Sequence, residues 1–199
     1  MKPDFPTAFA ATLKHEIGMA GRTRGYAQDP DDPGGETVSG ISRRYHPDWP
    51  GWILVDECQS HAGFPGNLSL LPELDGLIAQ FYREEFWDRL RCDELIDHEV
   101  AAELFDTTVN MRGGPQFLQQ SINKLNRNGQ LYPNIAADGA IGSQTIGALR
   151  LCLRYNPAAR LVTVMNIYQG AHYLQRMTDD PTNEKWVGWF DRVTFSHRY

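Results

Sequence analysis

The residues best suited to chemistry fall in one stretch, Glu16 to Ile41, EIGMAGRTRGYAQDPDDPGGETVSGI. A carboxylate near a helix end, faced by a second on a tight loop, can divide acid and base work between them. Phe9, Leu13 and Ile17 recur at i, i+4 and i+8 and predict an apolar helical stripe. Glu16 lies beside it, where partial burial would raise its pKa and hold it protonated as a general acid. The candidates for the second carboxylate are Asp29, Asp31 and Asp32. Their segment, DPDDPGG, cannot continue a helix, because proline fixes φ and lacks an N–H and Gly34-Gly35 reaches φ values that other residues avoid. Asp29 to Gly35 therefore reads as a shaped turn. Aspartates also serve such turns without any chemistry, by capping exposed N–H groups.

The elements that would position these residues are mostly helical. Residues 7–17 predict the first helix, with Pro6 and Thr7 at its start. Residues 18–40 read as loop or short hairpin, and the β-branched residues of ETVSGIS suggest strand. RRYHPDWPGW opens a looser region, and residues 61–67 read as a further loop. From Pro72 to Leu90, apolar residues recur three and four apart through Phe81, Tyr82 and Phe86. Asp97 or a neighbour starts the next helix, with Val100, Ala101, Leu104, Phe105, Thr108 and Val109 on its apolar side. Further helices are expected at about 115–126, at 143–155 with Ser143 as its cap, and at 158–177. A last short one holds Trp186, Trp189 and Phe190, and the two tryptophans, three apart, read as its anchors. The expected class is mostly α, about seven helices, with a short β or loop element after the first.

Composition narrows the function classes. Hydrophobic residues at 41% and charged residues at 22% over 199 residues suit one globular domain with a sizeable core. The net charge of −6 and the lack of any Lys/Arg run argue against nucleic acid. No apolar run reaches membrane-spanning length, and MKPDFPTAF lacks a signal-peptide core. Cys58, Cys92 and Cys152 read as three reduced thiols. A calcium loop beginning at Asp29 would put Pro33 and Gly40 where ligands are needed, and the cysteines and histidines show no zinc spacing. Neither metal nor cofactor is expected.

The sequence resembles glycoside hydrolase family 108, bacterial and phage N-acetylmuramidases of the secretion-activator type. Typical members carry HEGGY followed by a DP-x-D-x-GG-x-T-x-x-GI loop. Here His15-Glu16, Gly25-Tyr26 and DPDDPGGETVSGI stand in that order. Further matching segments are YREEFWDRLRCDEL (82–95), ELFDTTVNMRGG (103–114), ADGAIGSQTIGAL (137–149) and KWVGWFDRV (185–193). One departure is local: seven extra residues, MAGRTRG in one alignment, separate Glu16-Ile17-Gly18 from Tyr26. Arg22 and Arg24 in this insertion either meet an acidic substrate or face water.

The resemblance implies a lysozyme-like helical fold. It also implies hydrolysis of the β-1,4 bond from N-acetylmuramic acid to N-acetylglucosamine, with Glu16 as general acid. Asp32 would activate water, with Asp29 as competing base or loop brace, and carboxyls roughly 6.5–9.5 Å apart would give inversion. Thr37, five residues after Asp32, either orients the water or fills a strand position. Tyr26 either stacks on a sugar or supports the loop, and His15 is the less suited acid–base group. Asp106 and Asn110, one turn apart, are candidates to brace the cleft or contact substrate. ADGAIGSQTIGAL resembles a peptidoglycan-binding repeat, so the expected organisation is a catalytic region at 1–112 and a helical peptidoglycan-binding-like region at 113–199, packed as one unit. The expected partner is the peptidoglycan glycan strand, and an immunity or delivery partner is compatible with that. Synthesis in the cytoplasm and action on the cell wall or periplasm, after phage lysis or specialised secretion, complete the expectation. The contrasting reading is a catalytically silent wall-binding or regulatory protein. A third keeps the lysozyme-like fold with chitin-type substrates.

Overall fold

The computed structural model describes residues 1–17, 24–28 and 35–194, the side chains of residues 14–17 excepted. The described residues are mostly helical. Helix α1 (Phe5–Ile17) precedes a small antiparallel sheet of β1 (Ala27–Gln28), β2 (Glu36–Val38) and β3 (Ile41–Ser42). Then come α2 (Gly51–Gln59), α3 (Pro72–Tyr82), α4 (His98–Asn110), α5 (Gly114–Lys124), α6 (Ser143–Tyr155) and α7 (Ala158–Asp179). The expected class, mostly α with a short β element after the first helix, is the one observed. Among the described residues there are seven α-helices, six of them where helices are expected. Residues 51–59 form α2 where a loop is expected, and the last segment, Pro181–Arg192, is 3₁₀ rather than α. No helix is long and apolar enough to cross a membrane among the described residues. By contacts the chain divides into two compact units, Phe9–Glu85 and Met1–Ala8 with Phe86–Tyr199.

In the first unit, Ser39 and Gly40 both take positive φ, 48° and 79°. That is the geometry of a two-residue hairpin turn whose twist matches its strands. It sets Val38 opposite Ile41 and Thr37 opposite Ser42, and Val38 and Ile41 are fully buried with Trp52, Val55, Leu74 and Ile78. The Tyr82 hydroxyl donates to the Ser39 carbonyl at 2.7 Å, fastening α3 to the turn. Pro50 precedes α2 at the N-cap position, and the helix buries Trp52 and Val55 and leaves Ile53 exposed. The apolar run WILV hides this helical face because no polar spacing marks it. Gly51 opens the helix directly under the Trp49 ring, where a Cβ would come within 2.2 Å of the indole.

After Tyr82 the helix continues as a π turn, Arg83–Asp88. The extra residue per turn advances the register by one, so Trp87, not Phe86, is the fully buried ring. In the second unit Trp87 meets Phe5 and Phe105 edge-on at centroid distances of 5.5 and 5.7 Å. Asp97 caps α4 as its sequence predicts, accepting from the Glu99 and Val100 N–H groups at 2.9 and 3.3 Å. The buried side of α4 takes Val100, Ala101, Leu104 and Phe105 as expected, but also Thr107, while Thr108 and Val109 are half-buried. Gly114 lets α5 approach α4, since a Cβ there would lie 2.3 Å from Thr108 Oγ1. Ser143 is the first residue of α6 rather than its cap, a position held by Gly142. Of the two expected tryptophan anchors, Trp189 packs on Tyr173 at 5.3 Å, whereas Trp186 is half exposed.

Candidate active site

The loop that carries the aspartates springs from a paired frame. Gln28 and Glu36 face each other across β1 and β2, so residues 29–35 form the connection between two joined strands. Glu36 anchors that frame. Its carboxylate takes the Arg43 Nε–H and, at 2.8 Å, the Gln59 amide, while Arg43 forks onto Asp56 of α2 and lies 4.3 Å over the Trp52 ring. The Tyr26 hydroxyl lies 3.1 Å from both Gln28 Oε1 and Glu36 Oε1, its single proton serving one at a time. Its ring stands edge-on to Phe64 at 4.7 Å. Burial, followed by the Glu36 charge, pushes the Tyr26 phenol up from its ordinary value. Tyr26 thus reaches both partners of the Gln28–Glu36 pair. Thr37 holds the middle of the central strand, half-buried and paired with Ala27 and Ser42.

A cavity of about 250 Å³ opens in the same unit, lined by Phe9, Leu13, Arg24, Ser39, Asp75 and Ile78. Leu13 stands one helical turn before Glu16, so the cavity wall runs along α1 toward the position of the expected acid. Thr12, also one turn before Glu16, is buried. The opposite wall is ionic. Arg24 donates to Asp75 at 2.8 Å and to the Ser69 carbonyl at 3.3 Å, and its own carbonyl accepts from the Ser39 N–H and hydroxyl. Arg24 is therefore paired with Asp75 of α3 and part-buried, rather than merely facing water. Its Nε is buried without an acceptor.

Glu16 is the penultimate residue of α1. Its side chain and that of His15, together with Arg22, Asp29, Asp31 and Asp32, lie outside the described residues. Asp106 and Asn110 belong to the second unit, where the Asn110 amide donates to the Asp106 carbonyl at 2.8 Å and the Asp106 carboxylate lies 3.6 Å from Arg192. Sequence reasoning missed two features. One is the Glu36–Arg43–Asp56 brace, whose members are spread over a hairpin and a helix it did not expect. The other is Glu103, one turn before Asp106 and Thr107 on α4. Its part-buried carboxyl is raised to about 7 by burial, against hydrogen bonds from Asn166 and Thr107 and with the Asp106 charge adding to the rise.

The second unit also contains a run of amides, Gln119 and Asn126 buried and Asn123 half-buried. Gln119 and Asn123 on α5, with Asn126 just past its end, face the 134–140 segment. Gln119 donates to Asp138, Ala140 and Thr145 and accepts from the Gly139 N–H. Asn123 pairs both the N–H and the carbonyl of Ile135, at 2.9 and 2.8 Å, as a strand neighbour would. Asn126 ties Asn134 and the Gly129 N–H. The Ala140 N–H and the Gln119 amide hold the Asp138 carboxyl below its ordinary value.

Residues 114–194 match the family described as Predicted Peptidoglycan domain. Among solved structures the chain is similar to one described as the structure of Brucella abortus SagA, at 19% identity over 95% of this chain and 90% of that one, with a TM-score of 0.54, a likeness of fold. No curated protein matches significantly. Residues 9–112, just over half of the chain, match the family described as Glycosyl hydrolase 108, and the chain belongs to that family.

Proposed function

We propose that the protein is an N-acetylmuramidase that cuts the β-1,4 bond from N-acetylmuramic acid to N-acetylglucosamine in peptidoglycan. The observation that carries this reading is the family match over residues 9–112. It is supported by the cavity whose α1 wall, Phe9 and Leu13, leads to Glu16. Glu16 protonates the departing glycosidic oxygen. Asp32, on the loop framed by Gln28 and Glu36, deprotonates the water that attacks the anomeric carbon, with Asp29 as the alternative base. The Glu36–Arg43–Asp56 brace keeps the base of that loop fixed, as a positioned general base requires. A role as an endolysin or as an effector delivered to a rival's wall fits the same chemistry.

A catalytically silent wall-binding protein is the second reading. The feature that favours it is the insertion after Glu16, whose Arg24 occupies the cavity wall. Product analysis by mass spectrometry, after incubating purified peptidoglycan with wild type and E16Q, separates the two. Fragments ending in reducing N-acetylmuramic acid from wild type alone are expected. Equal product from both moves the acid elsewhere, and none from either, beside an active control muramidase, leaves the silent reading.

A further inference from the structure

Two adjoining cavities, about 290 and 370 Å³, flank the segment that these amides hold in place. They share Ile135, Ala136, Ser143 and Gln144, and so form one groove between residues 133–140 and the first turns of α6. We propose that this groove binds the peptide stem of peptidoglycan rather than its glycan, with the Asp138 carboxylate receiving the free amino group of the stem's diamino acid. The inference rests on the peptidoglycan reading above.

The lining decides between sugar and peptide. No residue that lines either cavity is aromatic, so a pyranose finds no ring to stack on. What the groove offers is short amide and hydroxyl side chains, Asn134, Ser143 and Gln144, which pair with backbone N–H and carbonyl groups. Beside them Ala136, Gly147 and Ala148, all small, leave room over the first turns of α6. A Cβ added at Gly147 would meet nothing within 4 Å, so the space above α6 is open. Asp138 is the one charged residue in the lining. Oδ1 of its exposed carboxylate accepts from Gln119 and the Ala140 N–H, which aims the group and leaves its other oxygen for a ligand cation. The groove is also formed in advance: Gln119 and Asn126 are 1% exposed and fully engaged with the loop. Prior ordering lowers the entropy lost on binding.

The test titrates the full chain with the tetrapeptide L-Ala-γ-D-Glu-meso-diaminopimelyl-D-Ala, with its N-acetylated form on the diaminopimelyl amine, and separately with N-acetylglucosamine tetramer. Gly147→Leu fills the groove from a helix position with open space, and Asp138→Asn keeps the oxygen that Gln119 and Ala140 need. Binding of the peptide by wild type is expected, with a loss of at least ~10-fold in Gly147→Leu, worth about 1.4 kcal/mol. Asp138→Asn and amine acetylation should cause equal, non-additive losses. The inference is overturned if wild type does not bind the peptide, if Gly147→Leu binds it equally, or if the sugar tetramer binds and Gly147→Leu abolishes that. Reducing-end release from peptidoglycan, measured on the same preparations, is read apart: release without peptide binding sinks the groove and leaves the hydrolase, and the converse result does the reverse.

Discussion

Glu103→Gln measures what a part-buried carboxyl on α4 costs the fold. The carboxyl rises from 4.5 to about 7 because burial disfavours its charge. At about 1.36 kcal/mol per pH unit, that rise is worth roughly 3 kcal/mol. The folded state holds this proton longer than the unfolded chain does, so stability is full below pH ~4.5, falls between ~4.5 and 7, and levels off above. Glutamine carries no charge, and its oxygen still accepts from Thr107, which donates to Glu103 at 3.0 Å, and from Asn166. The variant should therefore exceed wild type by about 1 kcal/mol at pH 5 and about 3 kcal/mol at pH 8. For a chain of this length, 1 kcal/mol moves Tm by about 2–4 °C. Thermal unfolding followed by circular dichroism from pH 5 to 8 gives the two curves. Parallel curves, or a variant weaker throughout, would show that Glu103 is ionised and satisfied in the fold, its partners outweighing burial and the nearby Asp106.

Gly51→Ala should destabilise, since three atoms of the Trp49 ring lie 2.2 to 2.5 Å from the new Cβ and overpacking costs about 1–3 kcal/mol. The indole has little room to yield between Trp52 and Phe81, so a Tm equal to wild type by calorimetry would show that it swings free. Asp97→Ala removes the acceptor for two N–H groups of α4 and should cost about 1 kcal/mol, or about 2–4 °C in Tm. An unchanged Tm would mean that water caps the helix as well.

Much of this was legible in the sequence where spacing alone carries the information. The face Leu74, Ile78, Phe81, Tyr82 and the Asp97 cap follow from periodicity and side-chain chemistry, and both stand in the structure. The π turn is another matter. Phe86 continues the expected spacing, and only a backbone widened by one residue delivers Trp87 to the core instead. Helix α2 was hidden by its own apolarity, because Trp52 to Val55 presents four apolar residues in a row and only packing selects which two go inside. The amides Gln119, Asn123 and Asn126 lie on or at the end of the helix expected at about 115–126, and nothing local says that a distant segment folds over them. Of the candidate site, only Thr37 can be placed on a strand from sequence, while Tyr26 stands just before β1. The carboxyl separation that would decide an inverting outcome is a through-space quantity, and spacing does not encode it.

The amides of α5 and its end have a consequence for the conditions under which the 134–140 segment keeps its shape. Gln119, Asn123 and Asn126 carry no charge, so the bonds they make across α5 exchange no proton over the biological pH range and are barely screened by ions. A wall surface is a dense polyelectrolyte whose local acidity and salt vary with the cell's energetic state and surroundings. A loop tied down by ion pairs would loosen and tighten with that milieu. This one holds a constant form, so whatever it meets there is read by the same template in acid or neutral, dilute or saline surroundings.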